Sequence, residues 1–305
     1  MSGDTLMFIG AMLAAGALAG FVAGLFGIGG GFVVVPALAS VLALLGTGGD
    51  GDKIMHVAIG TSLATIIFTS LRSVEAHARR GAVDFEILKS WTPWVVAGVV
   101  LGLILAQYMH GQALKITFGV GVFIMAWHFL FPVLTRNGPV TDHMPTGMLR
   151  GGLGSFLGGY CTLLGIGGGT PAVLIMTLSG QPMHRAVATA AGFGTIIAVP
   201  GTIGSVLGGL GETGLPYGSI GYVNVIAALA IISMSLITAP WGVAMAHSLN
   251  AVHLRRALGL YLLVTSALML VSALTPQGGP LALRTLAGPI TIEHATQIPE
   301  QDHGI

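Results

Sequence analysis

Long stretches without a charged side chain alternate with short polar segments along this chain. No Asp, Glu, Lys or Arg lies between Asp4 and Asp50, and none lies between Arg150 and Arg185. A helix that crosses a bilayer needs about 20 predominantly apolar residues, so each such stretch holds one or two spans. The pattern predicts an all-α polytopic membrane protein with about ten membrane segments, over residues 6–26, 32–45, 56–71, 91–108, 114–133, 148–164, 170–179, 186–207, 222–246 and 255–274.

The two halves of the chain contain the same sequence blocks. Residues 20–31 end in Gly-Ile-Gly-Gly-Gly and return as residues 158–169, and Met55-His56 returns as Met183-His184. Duplicated membrane units with matched backbone breaks are typical of transporters. We therefore predict a first membrane repeat over residues 1–140, a second over 141–275 and a flexible C-terminal tail over 276–305.

The composition excludes several classes of protein. Only 8% of the residues are charged and 53% are hydrophobic, whereas soluble domains are about 25% charged. A net charge of +1 provides no basic footprint for nucleic acid. The chain has no spaced His, Cys and Glu cluster for a metal and no nucleophile constellation. We therefore expect no enzyme activity, no cofactor and no nucleic-acid partner.

The distribution of Lys and Arg predicts the orientation in the membrane. If the 72–90 loop is cytoplasmic, ten segments put nine of the 12 Lys and Arg residues inside and only Lys53, Lys115 and Arg284 outside. Such an excess on the cytoplasmic side is the usual bias of membrane proteins. Both termini are then outside, and five segments per half give the two repeats opposite orientations.

The duplicated glycine blocks are the candidate substrate site. Consecutive glycines interrupt a helix, and broken backbone survives in a membrane only when it is buried in protein or lines a cavity. We predict a broken or re-entrant helical hairpin at the start of each repeat, whose restarting helix directs N–H groups and its positive dipole end towards an anion. Close packing of small residues is the alternative explanation. The candidate residues are Gly27, Gly29, Gly30, Gly31, Gly165, Gly167, Gly168, Gly169 and Thr170.

Polar residues that follow each hairpin are further candidates. We expect Thr61, Ser62 and Thr189 to line the cavity, although hydroxyls in helices also bond to their own backbone. His56, His184 and Arg185 are candidates for gating or coupling. For the two histidines, anchoring at the membrane interface is the alternative role.

These residues resemble a known family. The block Gly24–Gly31 with Pro36, the Gly60-Thr61-Ser62 sequence and the Arg79–Asp84 loop resemble the TauE/SafE family of sulfite exporters, over about residues 6–274. The resemblance implies export of small sulfur-containing anions, such as sulfite, sulfoacetate or other organosulfonates, across a bacterial inner membrane. The implied partners are a small anion and the lipid bilayer, and a homodimer is left open. An anion channel and a proton-coupled carrier of another small organic anion are the alternatives.

The predicted orientation can be tested by labelling single cysteines introduced at Lys53 and Arg79. Because the two positions are predicted on opposite sides, a membrane-impermeant maleimide should label the Lys53 position from outside and the Arg79 position only from inside. Labelling of both from the same side would contradict the inverted repeat.

Overall fold

Ten α-helices account for most of the residues that the structure describes. The structure is a computed structural model, and it describes residues 3–27, 29–44, 51–131 and 143–274. The helices are α1 (Gly3–Phe26), α2 (Gly31–Leu44), α3 (Gly51–Ala78), α4 (Phe85–Gln107), α5 (Gly111–Leu130), α6 (Gly147–Leu164), α7 (Gly169–Leu178), α8 (Met183–Gly208), α9 (Val225–Ser248) and α10 (Ala251–Leu274). Strands β1 (Ser219–Ile220) and β2 (Val223–Asn224) form an antiparallel hairpin before α9.

A helix lies at each of the ten predicted segments, and the largest difference is at α3. This helix covers Gly51–Ala78 rather than residues 56–71, because hydropathy marks only the apolar part of a helix whose ends carry charged side chains. Helix α9 begins later than predicted because residues 219–224 form the strand hairpin. The predicted tail at 276–305 and most of the predicted boundary near 140 lie outside the described residues.

Seven of the helices are long and apolar enough to cross a membrane, which makes this a multi-pass membrane protein. They lie over Leu6–Phe26, Lys53–Ala78, Phe85–Gln107, Gly111–Leu130, Met183–Gly208, Val225–Ser248 and Val252–Leu274. Helices α2 and α7 have only 14 and 10 residues, which is too short to cross a bilayer alone. Helix α6 has 18 residues, is rich in glycine and carries Arg150.

Helices α3 and α8 form the centre of the fold. In their apolar stretches 78% and 67% of the residues are buried, against 33–44% in the other five spans. The two helices contact each other and run in opposite directions. Helix α3 ends, and α8 begins, at the end of the molecule where Arg185 pairs with Asp84 and His77 contacts His247. We call this the basic end and the other, where Lys53 pairs with Glu212, the opposite end.

The outer helices pack closely through glycine. An added Cβ at Gly16 would lie 2.5 Å from the Ile231 carbonyl oxygen, and one at Gly24 would collide with that of Ala239. Helices α1 and α9 therefore run parallel, with glycines of α1 against the α9 backbone, as in other small-residue membrane contacts. An added Cβ at Gly102 would lie 2.6 Å from the Gly159 carbonyl oxygen, so α4 and α6 pack in the same way.

Several of the main helix contacts among the described residues are preserved when the two halves of the chain are exchanged. Taking α1 to α5 as the counterparts of α6 to α10, the α1–α9 contact becomes the α6–α4 contact, and the α3–α9 contact becomes the α8–α4 contact. The α2–α3 contact likewise becomes the α7–α8 contact, while α3–α8 and α5–α10 each map onto themselves. In this exchange α3 corresponds to α8, and these two helices run in opposite directions, since α3 ends at the basic end where α8 begins.

Candidate functional site

Both glycine blocks interrupt a helix at the predicted positions. Helix α1 ends at Phe26 and α2 begins at Gly31, while α6 ends at Leu164 and α7 begins at Gly169. The intervening backbone takes positive φ angles at Gly29 (74°) and Gly168 (71°), and also at Gly27, Gly30 and Gly165. Only glycine adopts this region without steric cost. The conformation of these two segments therefore explains why both are rich in glycine.

The two breaks meet in the middle of the molecule. An added Cβ at Gly29 would lie 3.3 Å from the Gly167 Cα, and one at Gly167 would lie 3.4 Å from the Gly29 Cα. The same two positions face Ile66, and Gly167 also faces Gly194, which lie near the middle of α3 and α8 respectively. The duplicated blocks therefore contact each other about halfway along the two central helices, and we call this contact the glycine crossing.

The start of α2 lies against the backbone of the other break. A Cβ added at Gly31 would lie 2.5 Å from the Gly165 carbonyl oxygen and 2.9 Å from the Ile166 Cα. The first N–H groups of a helix have no acceptor within that helix. Helices α2 and α7 both begin at the crossing, so their first N–H groups lie there. The crossing therefore brings together glycine backbone and two positive helix ends.

Hydroxyl groups of α3 hold the carbonyl groups that the breaks release. Ser62 donates to the Gly165 carbonyl at 2.7 Å, and Thr69 donates to the Gly29 carbonyl at 3.0 Å. Each of the two hydroxyls thus bonds to a different break, and both side chains are fully or almost fully buried. The hydroxyl of Ser62, predicted to line the cavity, is therefore engaged with backbone.

The predicted pair Thr61 and Thr189 occupies equivalent positions in the two halves. The Thr61 hydroxyl accepts the backbone N–H of Asn224 at 2.8 Å, and the Thr189 hydroxyl accepts that of Asp84 at 2.9 Å. Asn224 and Asp84 are the N-caps of α9 and α4, and their side chains accept N–H groups of the first turn. In both halves the threonine hydroxyl thus fixes the residue from which the next helix starts.

Two fully buried residues near the crossing carry a hydroxyl that has no hydrogen-bond partner among the described residues. They are Ser70 and Thr170, which are both 0% exposed. The Ser70 hydroxyl lies 3.1 Å from the position of an added Cβ at Gly29, and it also faces Gly194. Thr170 is in the first turn of α7. Sequence reasoning identified Thr170 but missed Ser70. Buried hydroxyls of α3 recur every three or four residues on one side of the helix, at Ser62, Thr65, Thr69 and Ser73, and Ser70 lies next to this stripe rather than in it.

His56 lies at the opposite end, beside a small cavity. Its Nε2 atom is 3.1 Å from the Ala106 carbonyl oxygen, and its ring lies 5.1 Å from that of Tyr222. Burial, together with the nearby Glu212 carboxylate, raises the pKa of the Tyr222 phenol, which stays protonated. The cavity of about 30 Å³ is lined by His56, Ile59, Leu103, Ala106, Gln107, Leu114, Thr162, Gly204, Ser205, Gly208 and Tyr222.

His184 and Arg185 lie at the basic end, so the three gating candidates do not form one group. Arg185 pairs with Asp84 at 2.6 Å. The His184 ring stacks on that of His247 at 6.0 Å, and His247 in turn contacts His77. Within the described ranges, no three His, Cys, Asp or Glu side chains are arranged to hold a metal ion.

Comparison with known proteins identifies a family and several relatives. The sequence model described as "Sulfite exporter TauE/SafE" matches residues 12–269. A "Probable membrane transporter protein" of Haemophilus influenzae is 30% identical over 260 residues, which cover 85% of this chain and 97% of the relative. A protein of the same description from Methanocaldococcus jannaschii is 26% identical over 280 residues, covering 88% and 97%. No solved structure matches the chain.

The roles of Thr61 and Thr189 as supports can be tested by Thr189→Val. This change leaves the Asp84 N–H buried without an acceptor, so we expect a loss of about 1–3 kcal/mol in stability, read as a lower midpoint of thermal unfolding in detergent. Thr65→Val is the matched control, because the Thr65 hydroxyl bonds only to the Ser62 carbonyl of its own helix. If the two variants unfold at the same temperature, the Thr189 hydroxyl does not stabilise the start of α4.

Proposed function

The chain belongs to the sulfite exporter TauE/SafE family, and from this premise we propose that it exports small sulfur-containing anions across a bacterial inner membrane. Sulfite, sulfoacetate and other organosulfonates are the proposed substrates. The relatives are probable membrane transporters, which points to a transporter rather than an enzyme. The proposal depends mainly on one observation, the glycine crossing halfway along the central helices α3 and α8.

We infer that residues up to about 140 and residues 141–275 are two inverted-topology repeats of five membrane segments each. The inference is supported by the contacts that survive exchange of the halves and by the opposite directions of α3 and α8. Sites at the interface of two inverted repeats lie near the midplane of the bilayer in many transporters. The glycine crossing lies at such an interface, with α2 and α7 as half-length helices that begin there.

The proposed substrate ligands are backbone dipoles and hydroxyls. The first turns of α2 and α7 supply N–H groups and positive helix ends, each worth about 0.3–2 kcal/mol for an anion. Ser70 and Thr170 supply buried hydroxyls without a partner. Thr61, Ser62, Thr69 and Thr189 hold the backbone in place around this site. Such a set of neutral ligands binds an anion weakly to moderately, as a carrier that has to release its substrate requires.

The proposed driving force is the membrane potential together with the anion gradient. Helix α3 carries no Asp, Glu, Lys or Arg between Lys53 and Arg72, and α8 carries none after Arg185. Coupled carriers usually keep an ionisable residue within the membrane. A potential of about 100 mV, negative inside, contributes about 2.3 kcal/mol per charge to the expulsion of an anion. Export can therefore proceed without a coupling cation.

One observation favours a proton-coupled carrier as the second candidate. His77 and His247 share a hydrogen bond of 3.1 Å between their ring nitrogens at the basic end. Histidine changes its protonation state near neutral pH, so this pair could carry a proton with the anion. An anion channel is a further alternative, and current recordings would distinguish it by its much higher rate of ion passage.

The mechanism predicts electrogenic movement of the anion. In proteoliposomes with a valinomycin-set potassium potential and no pH gradient, sulfite or sulfoacetate should move towards the positive side. The measurement is labelled anion flux with the potential reversed as the control. Flux that requires a proton or sodium gradient, and ignores the potential, would replace the uncoupled mechanism by the proton- or sodium-coupled one.

The site predicts distinct effects of substitutions around the crossing. Ser70→Ala should weaken anion binding several-fold, since the variant loses a charge-assisted hydrogen bond, while Thr65→Val one turn away leaves it unchanged. Gly168→Val should abolish transport, because its φ of 71° is closed to a β-branched residue. Gly152→Val is the glycine control, since an added Cβ there meets nothing within 4 Å. If a folded Gly168→Val protein transports normally, the glycines serve only the close packing of the helices.

A further inference from the structure

Three histidines from three helices meet at the basic end. His77 at the end of α3 and His247 at the end of α9 lie 3.1 Å apart between Nδ1 and Nε2. The ring of His184, at the start of α8, stacks on His247 with 6.0 Å between centroids and an angle of 16°. His247 is exposed, His184 is half-buried and His77 is 1% exposed, so the cluster leads from the surface into the protein.

The cluster lies in an environment of positive charge without a free carboxylate. The exposed Arg80 is near enough to act electrostatically on both His77 and His247. Nearby acids already have arginine partners: Glu75 pairs with Arg72 and Arg79, and Asp84 pairs with Arg185. Among the described residues, no carboxylate forms an ion pair with Arg80 or with the three histidines. Positive charge that develops here therefore lacks a counter-ion from the described part of the protein.

The innermost member of the cluster also has an unused polar atom. Among the described residues, no hydrogen bond of good geometry reaches the buried Nε2 atom of His77, although the backbone of Gly24 on α1 lies close to the ring. A buried polar atom without a partner costs free energy, and a ligand that bonds to it would recover that cost. His77 and Ser70 are seven residues apart on α3, which places them on the same face about 10 Å apart along the axis. The cluster is thus two helical turns from the glycine crossing.

Three of the four corresponding positions at the opposite end of the molecule hold residues that cannot carry a positive charge. When the halves are exchanged, His184 corresponds to His56, His77 to Ser205 and His247 to Gln107, all of which line the small cavity at the opposite end. Arg80 corresponds to Gly208 in the same lining. The basic end therefore carries imidazole and guanidinium groups where the opposite end has a hydroxyl, an amide and a glycine. The basic end and the opposite end therefore differ in charge, although their helices correspond.

We propose that His77, His184, His247 and Arg80 form a second oxyanion site, at the cytoplasmic mouth, where a sulfonate or sulfite docks before it reaches the glycine crossing. The assignment of this mouth to the cytoplasm and of the anion class depends on the proposed function. Imidazole and guanidinium N–H groups are suitable donors for an oxyanion. The described His, Cys, Asp and Glu side chains form no arrangement that would hold a metal ion.

The site makes anion binding dependent on pH in a defined direction. The groups that face the cluster are Arg80 after α3, and Arg185 on α8, whose charge is paired with Asp84. Protonation of an imidazole adds positive charge that no carboxylate among the described residues neutralises. Bound anion and bound proton therefore stabilise each other, by the reciprocity of linked equilibria. Affinity for the anion rises as the pH falls and is lowest when all three rings are neutral.

Calorimetric titration of sulfoacetate into the full chain in lipid nanodiscs tests the second site. Sulfoacetate keeps its charge between about pH 6 and 8, because carboxyl groups ordinarily titrate near pH 4. We expect affinity to increase about fivefold or more between pH 8 and pH 6 in the unaltered protein. His247→Gln and His77→Gln should remove the increase, whereas the control His253→Gln, on an exposed position of α10, should keep it. Thermal unfolding of each variant checks that it is folded.

The possible outcomes separate this site from the proposed function. If binding and export occur but the folded His247→Gln and His77→Gln variants keep the full pH dependence, the second site is ruled out and the export proposal stands. If the unaltered protein binds sulfoacetate with the histidine-dependent pH response but does not transport it, the site stands and the export proposal fails. Absence of binding at every pH overturns both.

Discussion

Two broken helices expose backbone in the middle of this membrane protein. The protein itself has to supply hydrogen-bond partners for that backbone, and this requirement explains the arrangement of the central helices. In hydrocarbon no water is available for released carbonyl groups. Ser62 and Thr69 donate to the carbonyls of Gly165 and Gly29, one in each break. Helix α3 therefore has to be polar on one side and buried at the same time, which explains its central position between the two halves.

The two halves share the arrangement of their helices, but the side chains that their central helices bring to the crossing differ. Both halves keep the same support, in which Thr61 or Thr189 accepts the N–H of the capping residue Asn224 or Asp84. The hydroxyls of α3 at the glycine crossing are not duplicated. The positions in α8 that correspond to Ser62, Thr69 and Ser70 are Ala190, Ile197 and Ala198. One central helix thus supplies the polar groups at the glycine crossing, and the other supplies a close-packed wall that includes Gly194.

The two ends of the molecule differ in charge although their helices correspond. Basic side chains gather where α3 and α9 end and α8 begins, while the opposite end has the Lys53–Glu212 pair and a cavity lined mainly by neutral groups. In the proposed exporter, an anion can reach the site between the two hairpins from either side, so directionality has to come from what surrounds the site. For an anion, the field of the membrane and the basic residues on one side supply that difference.

The membrane class, the positions of the ten helices, the two breaks and their duplication can be predicted from the sequence alone. Hydropathy and consecutive glycines act locally, over a single helix or turn, so these features can be deduced from a short stretch of chain. Which hydroxyls are engaged depends on the packing of distant segments. Thr61 and Ser62, which are predicted to line a cavity, bond to backbone, while Ser70, which was not singled out, has no partner among the described residues. The tertiary structure also decided that His77 and His247 meet, since residues 170 positions apart come together only through the packing of α3 against α9, which no local pattern records.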